Sequence, residues 1–288
     1  MTDLRLLDYG IDYLTLTRPY GEYQDDLWVK QFGEVVLSEW FGGNSSLQQE
    51  KWGWAGYVGW RLGPVTFGAG PQGYIFRVSG GAAQLIRRVR VPGDWKATRV
   101  DLQATWHTDM GADTMLKRWL GQAKVRRDMG VGRPYKLGYL QGFGAGDSVM
   151  LGSRASEKYV RMYNKSAREG EKGPHNRVRF EVEVKGDKAV NVWEELNASV
   201  SQLKLSRDMV MGAMDAYGIV RPEEEDSIDA EYWRSVSRET AIEGKLEWLE
   251  KQVAPTVRAL KAAGYGSDAL QALGLLPSEE MPDQPMLF

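Results

Sequence analysis

Three segments of the chain alternate between polar and apolar residues with a period of two, which predicts β-strands that have one face in a core. The apolar positions are Val100, Leu102 and Ala104; Val160 and Met162; and Val178, Phe180, Val182 and Val184. The polar positions are Arg99, Asp101, Gln103, Thr105 and His107; Tyr159, Arg161, Tyr163 and Lys165; and Arg177, Arg179, Glu181 and Glu183. One sheet with a polar face is the simplest arrangement of these strands.

The remaining pattern completes the predicted fold. Ile11 to Thr17 alternates as a further strand, and the Gly- and Trp-rich stretch 51–81 indicates hairpins with tight turns. Asp113 to Arg127 has helical spacing, and the pattern is helical from Lys188 onward, beginning with Ala189 to Tyr217. We predict an α+β fold with a mostly antiparallel, curved sheet, helices packed on one face, and a helical C-terminal region. The predicted parts are an α+β domain 1–187, a helical region 188–276 and a flexible tail 277–288.

Charge is distributed unevenly along the 288 residues. The net charge is −2, but Gln84 to Lys188 holds 22 Lys and Arg against 12 Asp and Glu, so this segment is strongly basic. Arg87 and Arg88 belong to one dense cluster, RRVR, and KVRR at 124–127 is another. A basic middle with acidic ends is typical of a phosphate-binding domain, although solvated surfaces also produce such clusters. Arg87 and Arg88 are therefore candidate DNA contacts.

Composition limits the class of protein. The chain has no cysteine, which excludes disulfides, thiolate nucleophiles and zinc–cysteine sites and is consistent with the cytoplasm. No apolar run is long enough for a transmembrane helix, and the first residues lack the pattern of a secretory signal. We therefore expect a cytoplasmic protein with no membrane partner.

The polar face has two interpretations. Half-buried antiparallel sheets normally expose one polar face, so this face can simply be solvated. Its composition of Tyr, Asp, Glu and several Arg instead matches the residue types that bind a metal and a phosphate. Trp52, Trp54, Tyr57 and Trp60 are similarly ambiguous, because they can stack on bases or pack a Gly-rich sheet, and packing is the simpler account. Asp12 shares strand parity with Leu14, which favours a structural hydrogen-bonding role.

Several motifs resemble those of the replication initiation factor family, the Rep_trans-type rolling-circle initiators of plasmids, filamentous phages and mobile elements. The motifs are LDYGIDYLTLT near the start, RVSGGAAQ at 77–84, TRVDL at 98–102, GDSVMLGSRASEKYVRMYNK at 146–165 and RVRFEVEVKG at 177–186. The resemblance runs through most of residues 8–200. It implies an enzyme that nicks one DNA strand with a tyrosine, remains attached to the 5′ phosphate and uses a divalent metal.

The same resemblance implies roles for particular residues. Tyr163 in RMYNK would be the nucleophile, and Asp101 and Glu181 would be metal ligands. The family's TRVDL strand often carries a second Asp where this chain has Thr105, so Glu183 and His107 are candidate substitutes for the third ligand. The two histidines are far apart in sequence, so oxygen ligands should dominate, which suits Mg²⁺ or Mn²⁺.

Elementary chemistry agrees with these roles. A phenol is a poor nucleophile at neutral pH and needs a nearby cation and an activated electrophile. Lys165 and Arg161 lie two residues either side of Tyr163, about 6 to 7 Å along a strand, and can favour the phenolate. Candidate phosphate clamps are Arg99, Arg154 and Arg179. Tyr159, about 13 Å from Tyr163 on a strand, can position DNA or serve as a second nucleophile.

Several function classes therefore remain open. They are a tyrosine transesterase for rolling-circle replication, a relaxase for mobilisation, a metal-dependent nuclease that uses water, and a non-catalytic DNA-binding regulator. The expected partners of the transesterase are origin DNA, single-stranded or as supercoiled duplex, a second copy in a homodimer, and the host replication machinery, including a helicase. The last residues, QPMLF, also resemble the Gln-x-x-Leu-Phe peptide that docks on bacterial sliding clamps, with Gln284, Leu287 and Phe288 as the contact residues.

Overall fold

The protein is described by a computed structural model, which covers residues 4–20, 27–39, 50–130, 135–142, 146–220 and 254–265. The chain divides into two compact units, Met1–Arg234 and Ser235–Phe288. In the second unit the described part is one helix, Ala254–Ala262, followed by a turn. All other elements of the described residues belong to the first unit.

Ten described strands form one sheet in which every neighbouring pair is antiparallel. The strands are β1 (Leu4–Arg18), β2 (Glu50–Trp54), β3 (Tyr57–Leu62), β4 (Val65–Gly70), β5 (Gly73–Ser79), β6 (Lys96–Thr108), β7 (Leu137–Leu140), β8 (Ser148–Gly152), β9 (Lys158–Asn164) and β10 (Arg177–Lys185). Their order across the sheet is β2-β3-β4-β5-β1-β6-β10-β9-β8-β7. The predicted α+β class with a mostly antiparallel sheet is confirmed.

The described helices are α1 (Leu27–Glu39), a 3₁₀ helix (Gly80–Arg88), α2 (Ala112–Asp128), α3 (Lys165–Arg168), α4 (Gly186–Ala198), α5 (Gln202–Ala216) and α6 (Ala254–Ala262). The predicted helix 113–127 corresponds to α2. The pattern over 189–217 predicted one helix, but the chain breaks it into α4 and α5, because Ser199 adopts an extended backbone. Serine side chains compete for backbone hydrogen bonds and so favour helix ends. None of the described helices is long and apolar enough to cross a membrane.

The apolar face of the sheet packs against helices and forms the core. Trp106 of β6 contacts Trp119 of α2 edge to face at 5.8 Å, and Trp119 also contacts Phe180 of β10. Helices α4 and α5 pack against β6. The compact unit that ends at Arg234 therefore includes helices that the sequence analysis assigned to a region from 188, and the predicted domain boundaries remain predictions.

A β-bulge in β1 changes the direction of one polar side chain. The register with β6 shifts between Ile11, opposite Leu102, and Tyr13, opposite Asp101, so Asp12 is the extra residue. A bulge bends the strand and re-aims a side chain. The Asp12 carboxylate consequently reaches Arg179 on the polar face, although Asp12 has the strand parity of the buried Leu14. The polar face thus gains a carboxylate that simple alternation assigned to the other side.

Candidate functional site

The site lies on the polar face of three central strands, β6, β10 and β9, which pair without a bulge. Register places specific side chains next to each other. Glu183 stands opposite Asp101 on one side and Tyr159 on the other, and Glu181 stands between Gln103 and Arg161. Alternation on each strand gives this face its polar residues, and the antiparallel register brings the predicted residues of separate strands together.

Tyr163 and Glu181 form the centre of the site. The Tyr163 hydroxyl donates a hydrogen bond to Glu181 Oε1, and both residues are almost fully buried, at 5% and 3% exposure. Burial raises the pKa of the Tyr163 phenol well above its usual range, and the charge of Glu181 raises it further, while Arg179 opposes the shift. The phenol is therefore protonated at neutral pH, and a carboxylate that can accept its proton is already bound to it.

Arginines surround this pair. Arg161 binds Glu181 Oε2 through both Nε, at 3.1 Å, and Nη2. The guanidinium carbons of Arg161 and Arg168 lie 5.3 and 4.6 Å from the centre of the Tyr163 ring. Such cation–π contacts place positive charge beside the phenol without a hydrogen bond to its oxygen. Arg168 was missed in the sequence because it lies beyond the strand pattern.

The alternation predicted that Lys165 continues the polar face of the strand, but Lys165 lies outside β9. Strand β9 ends at Asn164, whose side chain accepts a hydrogen bond from the backbone N–H of Ala167 and so caps the short helix α3. Lys165 begins that helix and forms an ion pair of 2.7 Å with Glu169. Burial raises the pKa of Asp12 and the charge of Glu181 raises it further, while Arg179 and then Lys165 oppose the rise.

Arg179 joins distant parts of the chain on this face. Its Nε donates to Thr105 Oγ1 at 2.9 Å, its Nη1 donates to Asp12 Oδ1 at 3.0 Å, and Nη1 lies 3.8 Å from Glu181 Oε1. The residue is buried. Asp12 therefore holds the predicted phosphate clamp, in keeping with the structural role predicted for it. The bulge that delivers Asp12 to this face leaves no signal in the apolar pattern.

Asp101 and Glu183 form a second cluster with Arg99. Arg99 binds both Asp101 oxygens, at 2.8 and 2.5 Å, and Glu183 at 2.7 Å, so this predicted phosphate clamp is engaged with carboxylates. Lys185 also contacts Glu183, at 2.5 Å. Burial raises the pKa of Asp101 to about 6, Arg99 opposes the shift, and Glu183 and Glu181 add to it.

A divalent metal would need ligands from these carboxylates. Within the described residues, no group of three His, Cys, Asp or Glu side chains is arranged to hold a metal ion. His107 lies six residues from Asp101 along β6, roughly 20 Å away, and next to Asp109. Mg²⁺ is usually held by one or two carboxylates together with water and substrate phosphate. The paired Asp101 and Glu183 fit that smaller ligand set, and the buried Asp101 charge would gain from a further cation.

Of the remaining predicted contacts, Tyr159 lies on the same face opposite Glu183, whereas Arg87 and Arg88 lie on another part of the surface. The Arg154 guanidinium covers the ring of the buried Tyr159 at 5.7 Å. Arg87 and Arg88 end the 3₁₀ helix and line a cavity of about 660 Å³ beside the α4–α5 connection. Arg88 is paired with Glu39, and Arg87 donates to the Gln84 carbonyl. The predicted clamp-binding residues Gln284, Leu287 and Phe288 lie outside the described residues.

Comparison with known proteins gives the context of this site. The sequence model of the replication initiation factor (Rep_trans) family matches residues 121–273, which include Tyr163, Glu181 and Glu183. Among curated proteins no sequence matches this chain. A solved structure described as a rolling circle replication initiator protein from Geobacillus stearothermophilus has a similar fold, with a TM-score of 0.50 and 17% identity over 82% of this chain and 93% of that one. Because the family match covers more than half of its residues, the chain belongs to the replication initiation factor family.

Proposed function

We propose that this protein initiates rolling-circle replication by nicking one strand of origin DNA through Tyr163. The observation that carries the proposal is the hydrogen bond from the Tyr163 hydroxyl to Glu181, inside a site lined by arginines. A nucleophile bound to a general base is the usual arrangement for covalent catalysis. Family membership and the fold shared with a rolling circle replication initiator support the same biological role.

The proposed reaction exchanges one phosphodiester for another. The Tyr163 oxygen attacks the scissile phosphorus while Glu181 accepts the phenolic proton, and the bond from phosphorus to the 3′ oxygen breaks. The 3′ oxygen takes a proton from solvent and becomes the primer for a polymerase. The 5′ phosphate remains on Tyr163, so the energy of the broken ester is kept for later rejoining. General-base assistance of this kind typically contributes about 10²- to 10⁴-fold in rate.

Cationic side chains would stabilise the charge that develops on the phosphate. Arg161 and Arg168 lie beside the Tyr163 ring and are the nearest candidates, with Arg179 behind Glu181. Asp101 and Glu183 would hold Mg²⁺ or Mn²⁺. Glu181, two residues before Glu183 on the same strand face, is the third candidate ligand. When bound, such an ion supplies Lewis-acid polarisation of a phosphate oxygen.

The test is covalent attachment of protein to DNA. Purified protein is incubated with Mg²⁺ and a supercoiled plasmid that carries its origin, and DNA-linked protein is separated on a denaturing gel. We expect an adduct with the unaltered protein and none with Tyr163→Phe, which keeps the ring but loses the nucleophilic oxygen. Tyr159→Phe is the matched control, because Tyr159 lies on the same strand face and is equally buried.

Each other outcome identifies a different function. An adduct from Tyr163→Phe but not from Tyr159→Phe would make Tyr159 the nucleophile. Nicked DNA without any adduct would indicate a nuclease that uses water, and DNA binding without nicking would indicate a non-catalytic regulator. Nicking confined to a transfer origin would indicate a relaxase. Full nicking activity in the presence of a chelator would refute the proposal that the reaction requires a divalent metal.

We also propose that the QPMLF end of the chain binds the host sliding clamp, so that a polymerase reaches the new 3′ end. Leu287 and Phe288 would fill an apolar pocket and Gln284 would bind at its rim. The test is recovery of purified clamp by the intact protein and by a variant without residues 284–288. Equal recovery by both would refute the proposal. Binding of a helicase and formation of a homodimer are further proposals for the same assembly.

A further inference from the structure

The polar face that carries Tyr163 continues onto the outer strands β2 to β5, where its chemistry changes from carboxylates to aromatic rings. Arg77 of β5 lies at the centre of this region. Its guanidinium carbon is 5.2 Å from the Trp54 ring centre, 6.0 Å from that of Trp52 and 5.6 Å from that of Tyr13. Its Nε donates to the Tyr13 hydroxyl at 2.6 Å. We call Trp52, Trp54, Tyr13 and Arg77 the aromatic shelf.

A glycine on β4 allows the Trp52 indole to lie close to that strand. Trp52 stands opposite Gly59, which in turn stands opposite Gly68. A Cβ atom on Gly68 would lie 2.9 Å from Trp52 Cζ3, closer than side-chain carbons approach one another. Any larger residue at Gly68 would therefore lift the ring off the sheet. The absence of a side chain at Gly68 therefore fixes the position of the Trp52 ring in the shelf.

Burial does not explain the shelf. Trp54 is 56% exposed, whereas Trp60, on the opposite face of the same hairpin, packs against the core. Arg77 and Arg61, which with Tyr13 and Trp52 line a cavity of about 180 Å³, form no ion pair with any carboxylate in the described ranges. The arginines of the catalytic region, Arg99, Arg161 and Arg179, are all paired with carboxylates. The shelf therefore combines one exposed indole and two half-buried rings with positive charge that no described carboxylate pairs.

The shelf is continuous with the candidate active site. The guanidinium carbon of Arg99, which binds Asp101, lies 4.5 Å from the centre of the Tyr13 ring of the shelf. Arg77 on β5 and Tyr163 on β9 are four strands apart, which is about 19 Å at the usual spacing of about 4.8 Å. The register also offsets them by six residues along the strands, because Arg77 is level with Lys185 and Tyr163 with Arg179, so they lie about 28 Å apart. A strand of DNA with its scissile phosphate at Tyr163 could reach the shelf within a few nucleotides.

We propose that the aromatic shelf binds unpaired bases of single-stranded DNA beside the nick site, with Arg77 and Arg61 at the adjoining phosphates. Aromatic faces interleaved with cations are the usual means of holding single strands, because every base has a face that can stack. In a duplex the base faces are covered by their neighbours, so the shelf selects DNA that has been unpaired. This inference rests on the proposed function and specifies the form of DNA that the site receives.

The experiment compares stacking with phosphate contact. Binding of a fluorescein-labelled 20-nucleotide oligo(dT), and of an abasic strand of the same length, is measured by anisotropy in chelator, so that no cleavage occurs. Stacking is worth about 1 to 3 kcal/mol per base, so Trp54→Ala should weaken oligo(dT) binding about 5- to 150-fold. The same variant should bind the abasic strand as the unaltered protein does, and Trp54→Phe should recover most of the loss. Val58→Ala is the control, because Val58 is also apolar and exposed but lies on the other face of the hairpin.

Several results would overturn the proposal. Oligo(dT) affinity unchanged in Trp54→Ala, an equal loss on the abasic strand, or an equal loss in Val58→Ala would each exclude base stacking on the shelf, as would failure of the unaltered protein to bind oligo(dT). A gel assay for the Tyr163 adduct on the same preparations separates this inference from the proposed function. If the adduct forms but Trp54→Ala leaves oligo(dT) affinity unchanged, only the proposal for the shelf is refuted. If oligo(dT) affinity depends on Trp54 but no adduct forms, only the proposed nicking chemistry is refuted.

Discussion

Asp101→Asn should make the protein more stable while it removes a residue that the site needs. Asp101 is 5% exposed, and its pKa is raised to about 6 from 3.8, with burial as the largest cause. Arg99 binds both of its oxygens but does not fully offset the loss of hydration. Asparagine resembles the protonated, uncharged form of the side chain, so the substitution removes a charge that folding disfavours.

The size and pH dependence of the effect follow from the two pKa values. Because the pKa is higher in the folded than in the unfolded protein, the folded state binds more protons between about pH 4 and 6, and stability from Asp101 falls as pH rises through 6. At pH 8 the ionised carboxylate costs about 3 kcal/mol relative to the neutral form, at about 1.4 kcal/mol per pKa unit. At pH 4.5 the folded protein has largely protonated Asp101, and the cost shrinks to about 1 kcal/mol.

The assay is urea denaturation of both proteins at pH 8 and pH 4.5 in chelator. We expect Asp101→Asn to be more stable by up to about 3 kcal/mol at pH 8, and by clearly less at pH 4.5. Asp109→Asn is the control, since that side chain is 77% exposed and should change stability by less than about 0.5 kcal/mol. Lower stability of Asp101→Asn at pH 8 would show that the pair with Arg99 outweighs desolvation and would refute the reasoning. Added Mg²⁺ should stabilise only the protein that retains Asp101, if this carboxylate binds the ion.

Three further predictions test other parts of the structure. Gly73→Ala should destabilise the fold by more than about 2 kcal/mol in urea denaturation, because Gly73 has φ of +122° and a Cβ there would lie 2.1 Å from the Arg18 carbonyl oxygen; unchanged stability would contradict this backbone geometry. Arg179→Lys should cost about 2 kcal/mol in the same assay, since lysine cannot reach Thr105 and Asp12 together, and an equally stable variant would show that this network is dispensable. DNA affinity should fall steeply with salt, with a log–log slope that grows by about 0.9 per duplex phosphate neutralised, and a flat response would exclude the basic segment 84–188 as the main contact.

Strand faces could be predicted from the sequence because they depend only on local alternation. The period of two assigned Asp101, Glu181 and Tyr163 to polar faces, and the structure has all three on one face of one sheet. Register is a different kind of information. The pattern would be the same if β10 were shifted by two residues, so nothing in it predicted that Glu183, and not Glu181, would stand opposite Asp101.

Local exceptions to alternation were beyond the sequence pattern. Asp12 reaches the polar face only through a bulge, and Lys165 leaves the strand because Asn164 caps a helix of one turn. Both features depend on how the backbone satisfies its hydrogen bonds against particular neighbours. The partners of Arg99 could not be predicted either, because a guanidinium can bind a phosphate or the carboxylates beside it with equal geometric ease.

The position of the strands within the ten-stranded sheet also has a consequence for local unfolding. Strands β6, β10 and β9 have hydrogen-bonded neighbours on both sides and pack against helices. Strand β2, which carries Trp52 and Trp54, lies at the edge of the sheet that the described strands form. Amide protons exchange with solvent most readily where few contacts must break. The strands beneath Tyr163 should thus exchange only with global unfolding, while those beneath the tryptophans exchange through local opening. One continuous face would then join a compliant region that can adapt to different bases to a rigid one that fixes a single reacting atom.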